Sequence, residues 1–151
     1  MIQSGRATLT VSSSETDPSV VTDLLGLEPT RVTKAGTLRK SGRVADHHTW
    51  SVDTGELSNT IDDQTGSHAL RALVALIQPA LGRLPYLPPD CEPRIWWSAY
   101  SDSVQGGFVL PADLAASIGT LGVDVYGTVH LDDPEDPMSD AAAGTSGGSD
   151  G

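Results

Sequence analysis

Along the first third of the chain, apolar residues recur with two different periods. Ala7, Leu9 and Val11 alternate with polar residues, which predicts a strand with one buried face. The following sequence VVTDLL carries its apolar residues on one helical face. It begins after Asp17-Pro18, a cap and a first-turn proline, and ends at Gly26, a natural helix stop. We therefore expect a strand and then a short helix.

The same two periods continue to residue 129. Residues 67–81 have the helical period with Ser67 as the expected cap, and Pro79 should kink or restart this helix because proline lacks an amide donor. The sequence RIWWSAY at 94–100 has aromatic residues on both faces, which indicates a central strand covered on both sides, at least partly. The other predicted elements are a helix opened by Pro111 and strands at 31–35, 47–52, 108–110 and 123–129, the last with Val123, Val125 and Val129 facing inward.

This order of elements predicts an α+β fold in a single domain, residues 1–130. The expected sheet is mixed and rich in antiparallel pairs, with about three helices on one face. A strand, a proline-opened helix and a strand occur near the start and again near the end, as two ferredoxin-like halves around a pseudo-twofold axis would require. Residues 131–151 have no periodicity, no aromatic residue and no basic residue, and we expect a disordered acidic tail.

The charge and cysteine content narrow the classes of partner and compartment. The formal net charge is -11 at pH 7, and the acidic residues of the predicted tail supply about half of it. Nucleic acid and anionic membranes repel such a chain, so we expect neither as a partner. The one cysteine, Cys91, permits no internal disulfide, and no apolar run has the length of a signal peptide or membrane span. We therefore expect a cytoplasmic protein.

Basic residues are concentrated in one loop-rich stretch of this acidic chain. Residues 31–43 hold five of the nine lysines and arginines: Arg31, Lys34, Arg39, Lys40 and Arg43. Guanidinium and ammonium groups bind phosphates and carboxylates, so this basic loop is a candidate site for a small anionic ligand or an acidic protein surface. The alternative is a solvated loop whose charges offset neighbouring acids.

Histidine and tryptophan side chains complete the candidate site. His48 and Trp50 share one face of the predicted strand at 47–52, and Trp96 lies in the aromatic strand. The predicted ligand-binding or partner-binding set is Arg31, Lys34, Arg39, His48, Trp50 and Trp96. A hydrogen-bonded structural histidine and tryptophans packed in the core are the alternatives.

The chain shows no recognisable set of catalytic or metal-ligating residues. His47 and His48 point to opposite faces of a strand, and no HxxxH or CxxC spacing occurs, so we expect no bound metal and no cofactor. Cys91 precedes Glu92, whose charge disfavours a thiolate nucleophile. We therefore expect no catalytic residues, and we favour binding over catalysis.

The motif LLGLEPTR at 24–31, followed by Lys34, Gly36 and His48-x-Trp50, resembles a bacterial family described as domain of unknown function 4279. The resemblance continues through the proline-interrupted, leucine-rich helix at 73–84 and the segment from Val109-Leu110-Pro111 to Tyr126. It spans about residues 6–130 and leaves out the predicted tail. It implies a small bacterial cytoplasmic α+β domain without established catalytic residues, and some relatives look like immunity proteins that neutralise toxins.

Two functions from different classes stay open at this point. The first is a non-catalytic binding domain that recognises a protein, for example a toxin whose basic active site an acidic immunity protein would cover. The second is an enzyme or sensor that binds a small anionic ligand through residues 31–43, with His48 nearby and Trp50 as a wall. We favour the first because no pair of nucleophile and base is legible.

Overall fold

The central strand of the sheet, β1, spans Ile2–Ser13 and is the first element of the chain. The structure is a computed structural model that describes residues 1–58, 65–104 and 107–131. Two short 3-10 turns, Gln78–Ala80 and Leu84–Tyr86, lie before β5. The other elements are α1 (Pro18–Leu25), β2 (Arg31–Thr33), β3 (His48–Asp53), β4 (Leu57–Ser58), α2 (Ser67–Leu76), β5 (Glu92–Ser101), α3 (Ala112–Leu121) and β6 (Val125–Leu131).

The sheet has the strand order β2-β3-β1-β5-β6, and β4 pairs with the start of β1. β1 is antiparallel to β3, β4 and β5, and β2 is antiparallel to β3. β5 and β6 are parallel, joined by α3. The prediction of an α+β domain with a mixed, mostly antiparallel sheet and three helices is confirmed for the described residues. The predicted acidic tail, apart from Leu131 in β6, lies outside them.

The two halves that the sequence suggested differ in strand direction. In the first half, α1 is followed by β2 and then β3, and it is β3 that pairs with β1, antiparallel. In the second half, β5 and β6 flank α3 and pair parallel. A twofold axis between β1 and β5 would require both outer strands to run in the same sense relative to their central strand. The likeness of the halves is therefore one of element order and does not extend to pairing.

One face of the sheet and all three helices form the hydrophobic core. Ala7, Leu9 and Val11 of β1 are buried, as their alternation predicts, and so are Ile95 and Trp97 of β5. The helices contribute one apolar face each: Val21 and Leu25 from α1, Leu70 and Leu73 from α2, Leu114 and Ile118 from α3. The prediction of helices on one face of the sheet is therefore confirmed, and the opposite face of the sheet is open.

The helix ends follow local sequence with one exception. Asp17 caps α1 by accepting the Ser19 N–H at 2.9 Å, and Gly26 ends it in the left-handed conformation. Pro79 restarts the chain as a 3-10 turn after α2, as predicted. The expected cap Ser67 is instead the first, buried residue of α2; the cap position is Gly66, with φ of 82° and no side-chain bond.

Two expectations about the second half are wrong, and a third holds only in part. The face of β5 opposite the helices is covered only in part: Trp96 is 45% exposed and Tyr100 44%, because no helix of the described ranges packs on that face. Residues 108–110 form no strand, since they pair with no neighbour among the described residues, although the Phe108 ring packs on Trp97. In β6, Val125 and Val129 lie on the side of the helices, as predicted, but they are exposed because β6 is an edge strand.

Candidate functional site

The predicted basic loop is an ordered, hairpin-like segment that follows β2, here called the basic hairpin (residues 34–45). The Gly36 N–H donates to the Ala45 carbonyl at 2.7 Å, and the Ala45 N–H donates to Thr37 at 2.9 Å. The Arg39 N–H donates to the Arg43 carbonyl at 2.8 Å and closes the tip. The hairpin therefore presents its cationic side chains from a defined backbone.

The cations of the basic hairpin differ in how they are held. Lys34 Nζ lies 3.3 Å from Asp17 Oδ2 and so ties the hairpin to the start of α1. The Ser19 backbone N–H, the Ser19 side chain and then Lys34 lower the pKa of Asp17 to about 2. The other cations of residues 31–43, which are Arg31, Arg39, Lys40 and Arg43, are exposed and have no salt bridge within the described ranges. The charge of Arg39 nevertheless helps to lower the pKa of Asp46, after the contribution of His47.

His48 supports the hairpin through its ring. The Ala35 N–H donates to His48 Nδ1 at 3.0 Å, so a neutral His48 ring carries its proton on Nε2. This bond fixes the start of the hairpin against β3. His48 is half-buried and lies beside the basic hairpin, as the predicted site requires, and its Nδ1 lone pair already has a structural partner.

Trp50 is a core residue. Its side chain is 1% exposed, and its Nε1–H donates to Thr22 Oγ1 of α1 at 3.0 Å. The predicted role of Trp50 as a wall of the site has no support in this placement, because strand alternation turns the ring toward the helices. The core-packing alternative describes Trp50 instead.

Trp96 belongs to a cluster of aromatic and basic side chains on the open face of the sheet. The Trp96 and Tyr126 rings stack with centroids 4.9 Å apart, and the Tyr100 and His130 rings stack at 5.2 Å. Arg94 Cζ lies 5.4 Å from the centroid of Tyr126, a cation–π contact. We call this cluster the aromatic patch: Arg94, Trp96, Tyr100, Tyr126 and His130.

The parallel register of β5 and β6 creates the aromatic patch. Trp96 pairs with Tyr126 and Tyr100 pairs with His130, so the side chains of each pair stand next to each other on one face. The sequence analysis assigned these residues to the same faces of their own strands but missed the cluster. The missing information is the pairing of β5 with β6, which joins residues about thirty positions apart.

The structure separates the predicted site residues between the basic hairpin, the core, where Trp50 lies, and two distant positions on the open face. Lys34, Arg39 and His48 belong to the basic hairpin or contact it. Arg31 and Trp96 both face the open side, but β3 and β1 lie between their strands. The six predicted residues therefore do not form one pocket, and the open face between Arg31 and Trp96 is lined by serine and threonine residues of β1 and β3.

A shallow cleft of about 310 Å³ at one end of the sheet holds the residues nearest to a catalytic arrangement. His47 lines it, and its ring is hydrogen-bonded to Asp46, which lowers the pKa of that carboxyl. Ser13 also lines it, but its hydroxyl donates to the Thr16 carbonyl at 2.6 Å. Among the described residues no serine hydroxyl is hydrogen-bonded to His47, so the cleft lacks the coupling that activates a nucleophile.

Two further titratable groups, Asp90 and Cys91, have surroundings that suit a structural role. Asp90 accepts hydrogen bonds from the Thr16 hydroxyl at 2.6 Å and from the Thr16 and Glu15 N–H groups at 2.8 and 2.9 Å. These bonds, the Thr16 hydroxyl first, lower the pKa of Asp90 to about 2. Burial, and then the charge of Asp90, raises the pKa of the Cys91 thiol, which disfavours a thiolate there.

Within residues 1–58, 65–104 and 107–131, no group of three or more His, Cys, Asp or Glu side chains is arranged to hold a metal ion. None of the helices in these ranges combines the length and the apolar character that a bilayer crossing requires.

Comparison with known proteins gives one match. The family model described as a domain of unknown function, DUF4279, matches residues 3–130, which includes every strand and helix named above except the ends of β1 and β6. Neither a search of curated proteins nor a search of solved structures returned a significant match.

Proposed function

We propose that this chain, which belongs to the DUF4279 family of domains of unknown function, is a non-catalytic binding domain that recognises a protein partner. The proposal places the protein in the cytoplasm, since its single cysteine forms no internal disulfide. The partner class includes a toxin, in keeping with the immunity-like relatives that the family resemblance suggests.

The observation that carries the proposal is the aromatic patch, which lies on the sheet face opposite α1, α2 and α3. Trp96 and Tyr100 are nearly half exposed, and Tyr126 is 40% exposed, beside the guanidinium of Arg94. Tryptophan, tyrosine and arginine are the residues most enriched at the energetic centres of protein interfaces. Their stacking holds the rings in place before binding, which reduces the entropy that association would otherwise cost.

The surroundings of the patch favour a folded protein over a small molecule. The open face continues across hydroxyl-bearing residues of β1, such as Thr8 and Thr10. The cleft beside the patch, lined in part by Arg6, Glu56 and Tyr100, measures about 110 Å³, less than the concave sites that cover most of a small ligand. A surface with an aromatic centre and a polar margin matches the anatomy of a protein interface.

The experiment is a crosslinked pull-down from the native host with three chains: wild type, Trp96→Ala and Tyr86→Ala. Tyr86 is an exposed aromatic outside the patch and serves as the matched control. We expect one protein to be enriched by wild type and by Tyr86→Ala, and its affinity for Trp96→Ala to fall more than about tenfold. Equal capture by all three chains would place recognition elsewhere and contradict the proposal.

A second candidate function, binding of a small anionic ligand, has one specific observation in its favour. The basic hairpin holds Arg39, Lys40 and Arg43 at one ordered tip, without ion-pair partners in the described part of the chain. Titration calorimetry with inorganic phosphate tests it, with Arg39→Ser/Arg43→Ser compared with Arg83→Ser, another exposed arginine. The site is supported if wild type and Arg83→Ser release heat on binding phosphate and the double variant does not. The absence of binding heat with wild type would contradict this candidate function.

A further inference from the structure

β6 is an edge strand with half of its backbone groups unpaired in the part of the chain that the structure describes. The Ile95 N–H donates to the Asp124 carbonyl at 3.0 Å, so the peptide groups of Asp124 point toward β5. Direction alternates along a strand, and therefore the N–H and C=O groups of Val125, Gly127, Val129 and Leu131 point away from β5. In the described ranges β6 pairs with β5 alone. This outer row is a template for another strand.

The sequence of β6 lacks the residues that normally prevent an edge strand from pairing with another strand. Its seven residues, VYGTVHL, include no lysine, arginine, aspartate, glutamate or proline. Protein edges that must stay unpaired normally carry such charges, prolines or bulges. The opposite edge of the sheet does carry them: Arg31 lies in β2 and the basic hairpin follows it. The β2 edge therefore carries charges that discourage strand pairing, and the β6 edge carries none.

Apolar side chains flank the free edge on both sides. Val125, Val129 and Leu131 are exposed on the side of the helices. Beside them is a largely apolar cavity of about 300 Å³, lined in part by Phe108, Leu110 and Ile118. On the other side Tyr126 and His130 belong to the aromatic patch. A strand added to β6 would cover apolar surface with both sets of its alternating side chains.

The segment that follows β6 in the chain is poorly suited to fill the edge. Pro134 and Pro137 lack amide donors, and the rest of residues 132–151 consists largely of Asp, Gly, Ser and Ala, which have low strand propensity. Residues 132–151 are therefore a poor match for this edge, and a strand from another chain is the better one.

A second copy of β6 is complementary to the first. In an antiparallel pair centred on Gly127, each Asp124 stands opposite His130 of the other copy on the open face, where the carboxylate can accept a hydrogen bond from the imidazole. On the helix face Val125 meets Val129. Gly127 meets Gly127, so the two backbones approach at the centre without side chains. No like charges are opposed within the paired strands.

We propose that β6 is a self-association edge through which two copies of the chain form an antiparallel β6–β6 dimer. The contact is isologous, as in most homodimers, and it joins the two sheets into one. A twofold axis perpendicular to this sheet puts both open faces on the same side. The dimer therefore carries two aromatic patches side by side on one continuous surface. The proposal does not depend on the identity of any other protein partner.

The first test is the mass of the full chain in solution, by sedimentation equilibrium at about 0.1 mM, where an association of micromolar Kd is populated. We expect twice the chain mass of 15.7 kDa for wild type. Val129→Lys puts a charge into the apolar side of the pair and should weaken association more than tenfold. Val20→Lys, the same change at an exposed site on α1, should leave it unchanged. Circular dichroism verifies that both variants are folded.

The second test fixes the register by exchanging the two polar ends of the pair. Asp124→His opposes two histidines and His130→Asp opposes two aspartates, so each single variant should dimerise more weakly than wild type. The double variant restores one aspartate opposite one histidine in each copy and should recover the dimer. A monomeric wild type, a dimer that survives Val129→Lys, or a double variant weaker than both singles would overturn the β6–β6 arrangement.

Discussion

Two adjacent tryptophans show how different the two faces of the sheet are. Trp97 faces the helices, is 5% exposed and donates its Nε1–H to the Gly66 carbonyl at 2.9 Å. Trp96 faces the open side, is 45% exposed and stacks on Tyr126. The difference between them comes from strand alternation and from the placement of α1, α2 and α3 on one face. The covered face should therefore contribute most of the stability, and the aromatic side chains of the other face are left partly exposed.

The covered face should dominate the free energy of unfolding. Trp97→Ala removes a buried ring and leaves the Gly66 carbonyl without its donor, so we expect a loss of about 3–5 kcal/mol. Trp96→Ala on the open face should cost less than about 1 kcal/mol. Urea unfolding of both variants measures the two losses. Equal losses would show that the open face is packed against something and would remove the contrast.

A steric test isolates the fit around Trp97. Gly66 has φ of +82°, and a Cβ there would lie 2.7 Å from Trp97 Cζ2. Gly36 has φ of +87° and no atom within 4 Å of its Cβ position, so Gly36→Ala reports the backbone strain alone. We expect Gly66→Ala to destabilise by about 1–3 kcal/mol more than Gly36→Ala, as measured by thermal or urea unfolding. The same cost at both glycines would contradict the close packing of Trp97.

Acid should weaken the connection between the end of β1 and the start of β5. Asp90, just before β5, accepts hydrogen bonds there from Glu15 and Thr16, which follow β1. The folded-state pKa of Asp90 is about 2, below the ordinary 3.8, so its hydrogen bonds contribute stability above pH 4. That contribution is lost as pH falls from about 4 to 2, because the unfolded chain binds the proton first. We expect the urea midpoint of wild type to fall more between pH 5 and pH 3 than that of Asp90→Asn. Parallel declines would contradict the assignment.

Trp96→Phe should have the smallest effect on stability and a clear effect on tryptophan fluorescence quenching. Trp96→Phe should alter the free energy of unfolding by less than about 0.5 kcal/mol. Trp50 and Trp97 are shielded from solvent, so this variant should lose most of the tryptophan fluorescence that acrylamide quenches. The accessible fraction from quenching of folded wild type and variant measures it. An unchanged accessible fraction would mean that Trp96 is covered in solution, as a tightly bound partner would cause.

Local sequence was sufficient for most elements of the fold. Asp17, Pro18 and Gly26 gave the limits of α1, and Pro79 gave the restart after α2, because caps and prolines act over a few residues. It was insufficient for Val125 and Val129. Their alternation is that of a buried strand, but burial depends on which strand lies at the edge, and strand order is a property of the whole chain.

The candidate site was predictable only in part for the same reason. The five cations of residues 31–43 are close in sequence, and the basic hairpin keeps them close in space. Trp50 is also near them in sequence, but one step of strand alternation turns it to the other face. The aromatic patch depends on the register of β5 against β6, which cannot be read from either strand alone.

The position of β1 has a consequence for how the chain is made. Its residues pair with a strand synthesised much later: Ser12 with Glu92 and Ile2 with Ser101. Such distant pairing is slow to form, and the central strand leaves the ribosome long before its main neighbour exists. A nascent chain that ends at Leu87 has no β5, and we expect limited proteolysis to digest it. A nascent chain that extends beyond β6 should resist the same protease. The molecule should therefore fold late, in one step, after β5 has emerged.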